Sequence, residues 1–245
     1  MRVCRALCQG LLVSVLLVFL AVACGGKSAP APTPAAELSV NDLLSRAGEK
    51  LAAMSTAKFT MVDETESGAQ FFGTTFKSLT AEVKAPASFR MQVDVVAPGL
   101  GFAQIEMLAV EDEAYMKFSK AAPWVALPLG QVPFNFRGLG MTLRDLLGVI
   151  KNGASTGLES VLGVKTVRVE GNVASEDLSS LLTSVDAGHA VGLTLWIDEA
   201  EYALRQIRIT GRIYDEDAAE TARLLSIHEI DVPVDIQLPD LSSGL

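Results

Sequence analysis

Alternation of apolar and polar residues with a period of two is the clearest pattern in the chain. Four segments carry it, at residues 89–95, 191–198, 206–213 and 230–236. A strand with this pattern buries one face and leaves the other in water, which is typical of antiparallel sheets. We therefore predict an antiparallel sheet of about nine to eleven strands, covered on one side by a few helices. Pro233 cannot donate to a strand ladder, so the strand that contains it is expected at a sheet edge.

Three segments show the apolar spacing of amphipathic helices instead. The first covers residues 40–54 and follows Ser39, a residue type that caps helix N-termini. The second covers residues 143–150 and precedes the Asn-Gly pair at 152–153, which is expected to end it. The third covers residues 178–185. Helices separated by two series of strands predict an α+β fold.

The first 24 residues have the organisation of a bacterial lipoprotein export signal. Two arginines within the first five residues precede an apolar core, and the small residues Ala21-Val22-Ala23 stand directly before Cys24. We predict that residues 1–23 are a lipoprotein signal peptide and that Cys24 is the lipidated first residue of the mature chain. Ala21 stands where the usual lipoprotein motif has leucine, so ordinary secretion with an unmodified cysteine stays open as an alternative.

Residues 24–36 follow as an Ala/Pro-rich tether. Three prolines alternate with small residues and no core-forming residue is present. This composition is typical of extended, semi-rigid linkers. Apolar periodicity begins at Leu38 and no comparable linker interrupts it, so residues 37–245 are predicted to form a single domain.

Net charge limits the partners of the mature chain. The full sequence has 20 basic and 29 acidic residues, and the predicted removal of residues 1–23 takes away two arginines and leaves a net charge of −11. Nucleic acid is excluded as a partner, because binding its phosphates needs a basic surface. An anionic membrane surface would also repel the chain, so we expect membrane attachment through acyl chains on Cys24.

Several short motifs resemble those of one family of envelope lipoproteins. They are the lipidation motif at 21–24, Leu-Trp-Ile-Asp at 195–198 followed by Leu-Arg-Gln-Ile-Arg-Ile at 204–209, and the segment 229–236 with Pro239. With these motifs and an amphipathic helix directly after the tether, the chain resembles the LppX/LprG-type lipoproteins (the LppX_LprAFG family) of actinobacterial cell envelopes. The resemblance covers nearly the whole mature chain.

The resemblance implies a fold and a function. The implied fold is a strongly curved antiparallel sheet, or half-barrel, whose concave face is covered by helices around an apolar cavity. The implied function is to bind acylated lipids or lipoglycans and to carry them between the membrane and the outer envelope, at the extracytoplasmic face of the cell membrane. Lipid is then cargo, so no cofactor is expected and no catalytic residue is implied. We expect a monomer.

If such a cavity is present, we expect its lining to come from the apolar faces of the predicted strands and helices. The candidates are Met61, Phe89, Met91, Val93, Val95, Ile105, Met107, Leu143, Leu146, Leu147, Ile150, Leu193 and Leu195. Methionine suits an adaptable apolar lining, although core filling is the simpler interpretation of each single methionine.

The segment 123–136 is apolar but rich in proline and glycine, so we predict an irregular structure for it. A long apolar loop is either the rim or lid of a cavity, or a segment packed against the sheet. The sequence does not choose between these two interpretations.

One motif suggests enzymatic chemistry. Gly-Ala-Ser-Thr-Gly at 153–157 fits the nucleophile elbow of hydrolases around Ser155, and Asp186 with His189 or His228 follows in hydrolase order. An elbow needs a buried parallel strand before it and a helix after it, whereas here a predicted helix precedes the motif. We therefore expect that the protein is not an enzyme.

The sequence supports metal binding no better than it supports a hydrolase. The domain has two histidines and no cysteine after Cys24, a poor set of ligands for zinc. The acidic cluster at 215–220 lacks the regular ligand spacing of a calcium loop and is interpreted as a solvated turn.

Two functional hypotheses therefore stay open. One is a non-enzymatic lipid carrier, and the other is a membrane-tethered scaffold or adhesion module with a dry core. A hydrolase that uses Ser155 is not favoured, because its motif lacks the context of a nucleophile elbow.

Overall fold

Helix α1 (Val40–Ala53) begins the part of the chain that the computed structural model describes, residues 38–71 and 73–241. Ser39 accepts a hydrogen bond from the backbone N–H of Asp42 (3.1 Å), and its hydroxyl donates to the carboxylate of Asp42 (2.7 Å). The predicted cap and helix are therefore confirmed. The buried residues of α1 lie on one face: Leu43, Leu44, Ala47, Gly48 and Leu51.

In the described part of the chain, twelve strands form one antiparallel sheet. They are β1 (Thr56–Asp63), β2 (Gln70–Phe71), β3 (Thr74–Lys84), β4 (Ser88–Ala97), β5 (Gly101–Val110), β6 (Glu113–Lys117), β7 (Val125–Ala126), β8 (Lys151–Val161), β9 (Val164–Ala174), β10 (Ala190–Asp198), β11 (Leu204–Thr210) and β12 (Ala222–Ile230). The prediction of an antiparallel sheet with a few helices is confirmed. Two strands, β2 and β7, have only two residues each, which explains why the observed number exceeds the expected one. The strong curvature of a half-barrel stays a prediction.

The strand order is β7-β6-β5-β4-β3-β1-β12-β11-β10-β9-β8, with β2 beside β3. Strands β3 to β7 and strands β8 to β12 each follow one another as neighbours, the usual result of short connections. Strand β1 lies between β3 and β12 and joins the two series. The sheet stays open, since β7 and β8 are its edges.

Helix α2 (Leu139–Gly148) begins four residues before the predicted helix 143–150. Its N-cap, Gly138, has a positive φ of 62°, a backbone conformation that glycine adopts without strain. The Asn-Gly pair at 152–153 does not end a helix as expected, because both residues lie inside β8. Helices α1 and α2 pack closely at Gly140, where a Cβ atom would overlap the carbonyl oxygen of Leu51.

The prediction of a third helix at residues 178–185 is wrong. The structure has only a 3₁₀ helix at Ser175–Ser180. The backbone carbonyl of Leu181 accepts from the N–H of Asn135 (2.7 Å), and the N–H of Thr183 donates to the carbonyl of Pro133 (3.1 Å). Pairing with the loop at 133–135 therefore satisfies backbone groups that a longer helix would have used.

The prediction of an edge strand around Pro233 is also wrong. Strand β12 lies inside the sheet, between β1 and β11, and ends at Ile230. Asp231 has a positive φ of 56°, and residues 231–240 contain no strand. The chain thus leaves the ladder before the proline, which removes the conflict with strand hydrogen bonding.

The segment 123–136 is largely irregular, as predicted, apart from β7 and a 3₁₀ turn at Leu129–Gln131. Leu127, Val132 and Phe136 are buried, so this loop packs against the sheet. Among the described residues, no helix combines the length and the apolar composition needed to cross a membrane.

Candidate functional site

An apolar cavity lies between the sheet and the elements that cover it. Its volume is about 150 Å³. One water molecule needs a cavity of roughly 10–15 Å³, so this cavity is much larger than a packing defect. Twenty-four of the described residues line it, and all of these except Gln70, Tyr214 and Arg223 are apolar.

The floor of the cavity is the middle of the sheet. Phe59 on β1 lies in register with Ala81 on β3 and Ile227 on β12. Ala81 is in turn opposite Met91 on β4. Residues opposite one another on neighbouring strands project from the same face of the sheet. The row therefore joins side chains from four strands, and all four side chains line the cavity.

The roof comes from three segments that are distant in sequence. Helix α2 supplies Leu139 and Leu143. The 3₁₀ helix and the turn after it supply Leu178, Leu181 and Leu182. The loop at 123–136 supplies Pro133 and Phe134. This loop is both packed against the sheet and part of the cavity wall, so the two interpretations left open by its sequence hold together.

Three of the thirteen predicted lining residues, Met61, Met91 and Leu143, line this cavity. The other ten lie outside its lining and pack in or against the hydrophobic core: Phe89, Val93, Val95, Ile105, Met107, Leu146, Leu147, Ile150, Leu193 and Leu195. The apolar face of the sheet is wider than the cavity, and other side chains fill the rest of it. At Phe89, for example, the rings of Phe134 and Phe136 approach to 4.9 and 4.8 Å between centroids.

Most of the lining residues that lie on strands belong to strands that the sequence analysis did not single out. Phe59, Leu79 and Leu225 are examples from β1, β3 and β12. The alternate apolar residues within 79–83 offered a usable signal, because they mark a buried strand face. Arg223 offered none, because a lone arginine in a strand predicts an exposed position.

One end of the cavity is polar. Arg223 is 4% exposed, and its Nη2 donates to Oδ1 of the buried Asp217 at 2.7 Å. Asp217 also accepts hydrogen bonds from the backbone N–H groups of Gln70 (2.9 Å), Ile213 (3.0 Å) and Tyr214 (3.2 Å). The carboxylate of Asp217 therefore holds together three segments of the chain around the guanidinium group.

Burial and hydrogen bonding oppose each other in setting the pKa of Asp217. Burial is the largest single effect and raises the pKa, but the hydrogen bond and charge of Arg223 and the backbone N–H donors together lower it below its usual value. Asp217 is therefore ionised at neutral pH. Burial raises the pKa of the Tyr214 hydroxyl, so this side chain is neutral there.

The hydrolase motif does not form an elbow. Ser155 lies in the exposed edge strand β8, opposite Val169 of β9, rather than at a turn from strand to helix. His189 hydrogen-bonds to Asp215 (2.9 Å) and His228 to Thr60 (2.8 Å), so neither of these bonds involves Ser155. The structure therefore does not bring the proposed triad together.

The acidic cluster at 215–220 is divided between two roles. Asp217 is buried against Arg223, whereas Asp215 is exposed and contacts His189. Within the described ranges, no group of three His, Cys, Asp or Glu side chains is arranged to hold a metal ion. The predicted signal peptide, Cys24 and the tether lie outside the described residues.

Comparison with known proteins gives a family and a fold. Residues 41–236 match the model of the LppX_LprAFG lipoprotein family. The structure is similar to that of LprF from Mycobacterium bovis, with a TM-score of 0.62 and 15% sequence identity over 82% of this chain and 96% of that one. It is also similar to lipoprotein LppX from Mycobacterium tuberculosis, with a TM-score of 0.55 and 14% identity over 81% of this chain and 98% of that one. No curated protein sequence matches the chain.

Proposed function

The chain belongs to the LppX_LprAFG lipoprotein family, and from this premise we propose that it is a lipid carrier. It binds acylated lipids or lipoglycans in the cavity between the sheet and α2, and it carries them between the cell membrane and the outer envelope. The lipid is cargo, and the protein acts without a cofactor or a catalytic residue.

The observation that carries the proposal is the apolar lining of the cavity. Apolar cavities of protein interiors stay dry, so water does not compete strongly for the space. An acyl chain that leaves water gains about 0.8 kcal/mol for each buried methylene group. Met54, Met61 and Met91 contribute flexible side chains to the lining, which suits chains of different length and shape.

The proposal places the protein at the extracytoplasmic face of the membrane, held there by acyl chains on Cys24. The tether at 24–36 separates the domain from the bilayer, and the acidic mature chain has no electrostatic attraction to anionic lipids. We expect a monomer, because the described residues of a single chain already form the wall of the cavity.

Occupancy of the cavity tests the proposal. Residues 37–245, expressed without Cys24 so that the anchor contributes no acyl chains, are purified, denatured and extracted for lipid mass spectrometry. We expect acylated lipid in near-stoichiometric amount. Absence of lipid, together with no change in thermal stability when acyl lipids are added, would favour the tethered scaffold with a dry core.

A further inference from the structure

Arg223 lines the apolar cavity and carries a buried hydrogen-bond donor that has no partner. Three buried side-chain nitrogens in the described part of the chain have no hydrogen-bond partner: Nε of Arg168, Nε of Arg205 and Nη1 of Arg223. Of these three arginines, only Arg223 lines the cavity. A buried charged donor without an acceptor is unfavourable, so a ligand oxygen placed there would be held by more than apolar contact.

The other groups around Arg223 keep its guanidinium in place. Nη2 is held by Asp217 and lies 3.5 Å from the backbone carbonyl of Gln70. The Tyr214 ring centroid is 5.9 Å from Cζ. Because the guanidinium group is planar and one side of it is fixed by Asp217, the position of Nη1 is fixed as well.

The charges at this end of the cavity favour a neutral acceptor. Asp217 already balances the positive charge of Arg223. Asp63 is opposite Arg223 in the register of β1 and β12, and it is buried while accepting from the N–H groups of Gly68 (3.2 Å) and Ala69 (3.1 Å). A carboxylate or phosphate would therefore add an unbalanced negative charge to a poorly hydrated site, which is costly. An ester carbonyl accepts a hydrogen bond without bringing a charge.

We propose that Nη1 of Arg223 donates a hydrogen bond to the ester carbonyl of an acyl lipid bound in the cavity. The acyl chain lies along the apolar floor, and its ester group lies at the end formed by Gln70, Tyr214 and Arg223. The protein thereby selects acyl esters over plain hydrocarbons and over ionised fatty acids. This inference rests on the proposed function, because it needs the cavity to hold an acyl chain.

Ligand displacement tests the inference on the full processed chain. The protein is solubilised in an alkyl maltoside, which has no ester, and loaded with a pyrene-labelled alkane. Methyl palmitate and an n-alkane with the same number of heavy atoms then compete with the reporter. The measured quantity is the ratio of the wild-type affinity to the variant affinity for each competitor. The two competitors partition differently into the detergent micelles, and this difference cancels in the ratio.

The test variant is Arg223→Lys, which keeps a positive charge beside Asp217 but loses the second nitrogen. Its control is Arg205→Lys, at an arginine that also pairs with a buried aspartate, Asp198 (2.8 Å), and lies outside the cavity lining. We expect Arg223→Lys to lower the affinity for methyl palmitate roughly tenfold. This is the loss expected for one charge-assisted hydrogen bond. Arg223→Lys should leave the affinity for the n-alkane unchanged. Arg205→Lys should change neither the affinity for methyl palmitate nor that for the n-alkane.

The outcomes separate the two claims. If the reporter does not bind the wild-type protein, the proposed function fails and the inference fails with it. If the reporter binds but methyl palmitate is equally affected by both variants, only the inference fails.

Infrared spectroscopy of methyl palmitate with a ¹³C-labelled carbonyl decides the question if Arg223→Lys does not fold. A carbonyl band at lower frequency in the wild-type complex than in hexadecane supports the hydrogen bond. An equal frequency overturns it.

Discussion

At the scale of single residues, Asp217 is the charge on which the polar end of the cavity depends. It is fully buried, it pairs with Arg223, and it accepts from three backbone N–H groups. Such a pair contributes little net stability compared with apolar residues, but loss of one partner is costly because the other charge stays buried. The pair thus keeps a charged group beside the apolar cavity.

Asp217→Asn should lower the free energy of unfolding by about 3–5 kcal/mol, because it leaves the buried guanidinium without a counter-charge. Urea denaturation at pH 7 measures this change. Glu199→Gln is the control, since Glu199 pairs with Lys165 on the surface (2.7 Å) and an exposed pair contributes little. Equal effects of the two substitutions would contradict the structural role of Asp217.

Acid should remove the contribution of Asp217 to the stability of the folded protein. Its pKa is lower in the folded protein than in the unfolded chain, so the stability it contributes is present above its usual pKa, about 4, and is lost as the pH falls through the folded value. The difference in unfolding free energy between wild type and Asp217→Asn should therefore shrink between pH 7 and pH 3. A difference that stays constant would show that ionisation of Asp217 does not stabilise the fold.

Substitutions at Leu79 and Val93 test which positions face the cavity and which lie in the packed core. They are opposite each other on β3 and β4, but Leu79 lines the cavity and Val93 is fully buried outside its lining. Val93→Trp should cost about 1–3 kcal/mol through overpacking. Leu79→Trp should extend into free space, so the delipidated protein should keep nearly wild-type stability.

Denaturation of delipidated protein and lipid mass spectrometry check this pair together. Leu79→Trp is expected to reduce the amount of lipid that purifies with the domain, because the indole ring occupies ligand space. Equal destabilisation by both substitutions, with unchanged lipid content, would mean that side chains fill the cavity in solution.

At the scale of elements, the contact between α1 and α2 sets the position of the cavity roof. Gly140 lies against the end of α1, and the neighbouring Leu139 and then Leu143 line the cavity. A second close approach occurs at Gly48, where a Cβ atom would lie 2.8 Å from Cγ of Arg144. Small residues on facing helices thus let α2 approach α1 closely while Leu139 and Leu143 line the cavity.

Gly140→Ala should force α2 away from α1, because the added methyl group meets a backbone carbonyl rather than a flexible side chain. We expect a loss of about 1–3 kcal/mol in the free energy of unfolding and a lower lipid content. Gly148→Ala in the same helix is the control, since no atom lies within 4 Å of its Cβ position. That substitution should be neutral or slightly stabilising, because alanine is the better helix former. Calorimetry of both variants compares them directly.

At the scale of the whole molecule, the proposed carrier function needs both the tether and the domain. Residues 24–36 have the composition of a spacer, and the described residues of the domain form the apolar cavity. A carrier needs both, since the domain must reach the membrane to load and must hold acyl chains away from water during transfer.

Cys24→Ala should release the protein from the membrane, because the acidic domain has no other expected attraction to an anionic surface. Fractionation of cells into membrane and soluble material measures the distribution, with the wild type as reference. If the variant stays in the membrane fraction to the same extent, the anchor is not an acylated Cys24.

The sequence by itself determined the elements whose signals are local. Helix α1 and its cap followed from Ser39, Asp42 and the apolar spacing after them, and β4 and β10 followed from their alternation, because burial of one face has a period that a short segment displays. The motifs near residues 195–209 and 229–236 were likewise sufficient to suggest the family that the comparison then showed.

Tertiary structure alone decided which apolar residues face a cavity and which fill the core. The shortened third helix depends on hydrogen bonds with a loop about 45 residues away, and the cavity depends on β1 joining two series of strands. The polar end depends on Asp217 meeting Gln70, 147 residues away in the chain. Such contacts leave no periodic trace in the sequence, because their energy comes from residues that only the folded chain brings together.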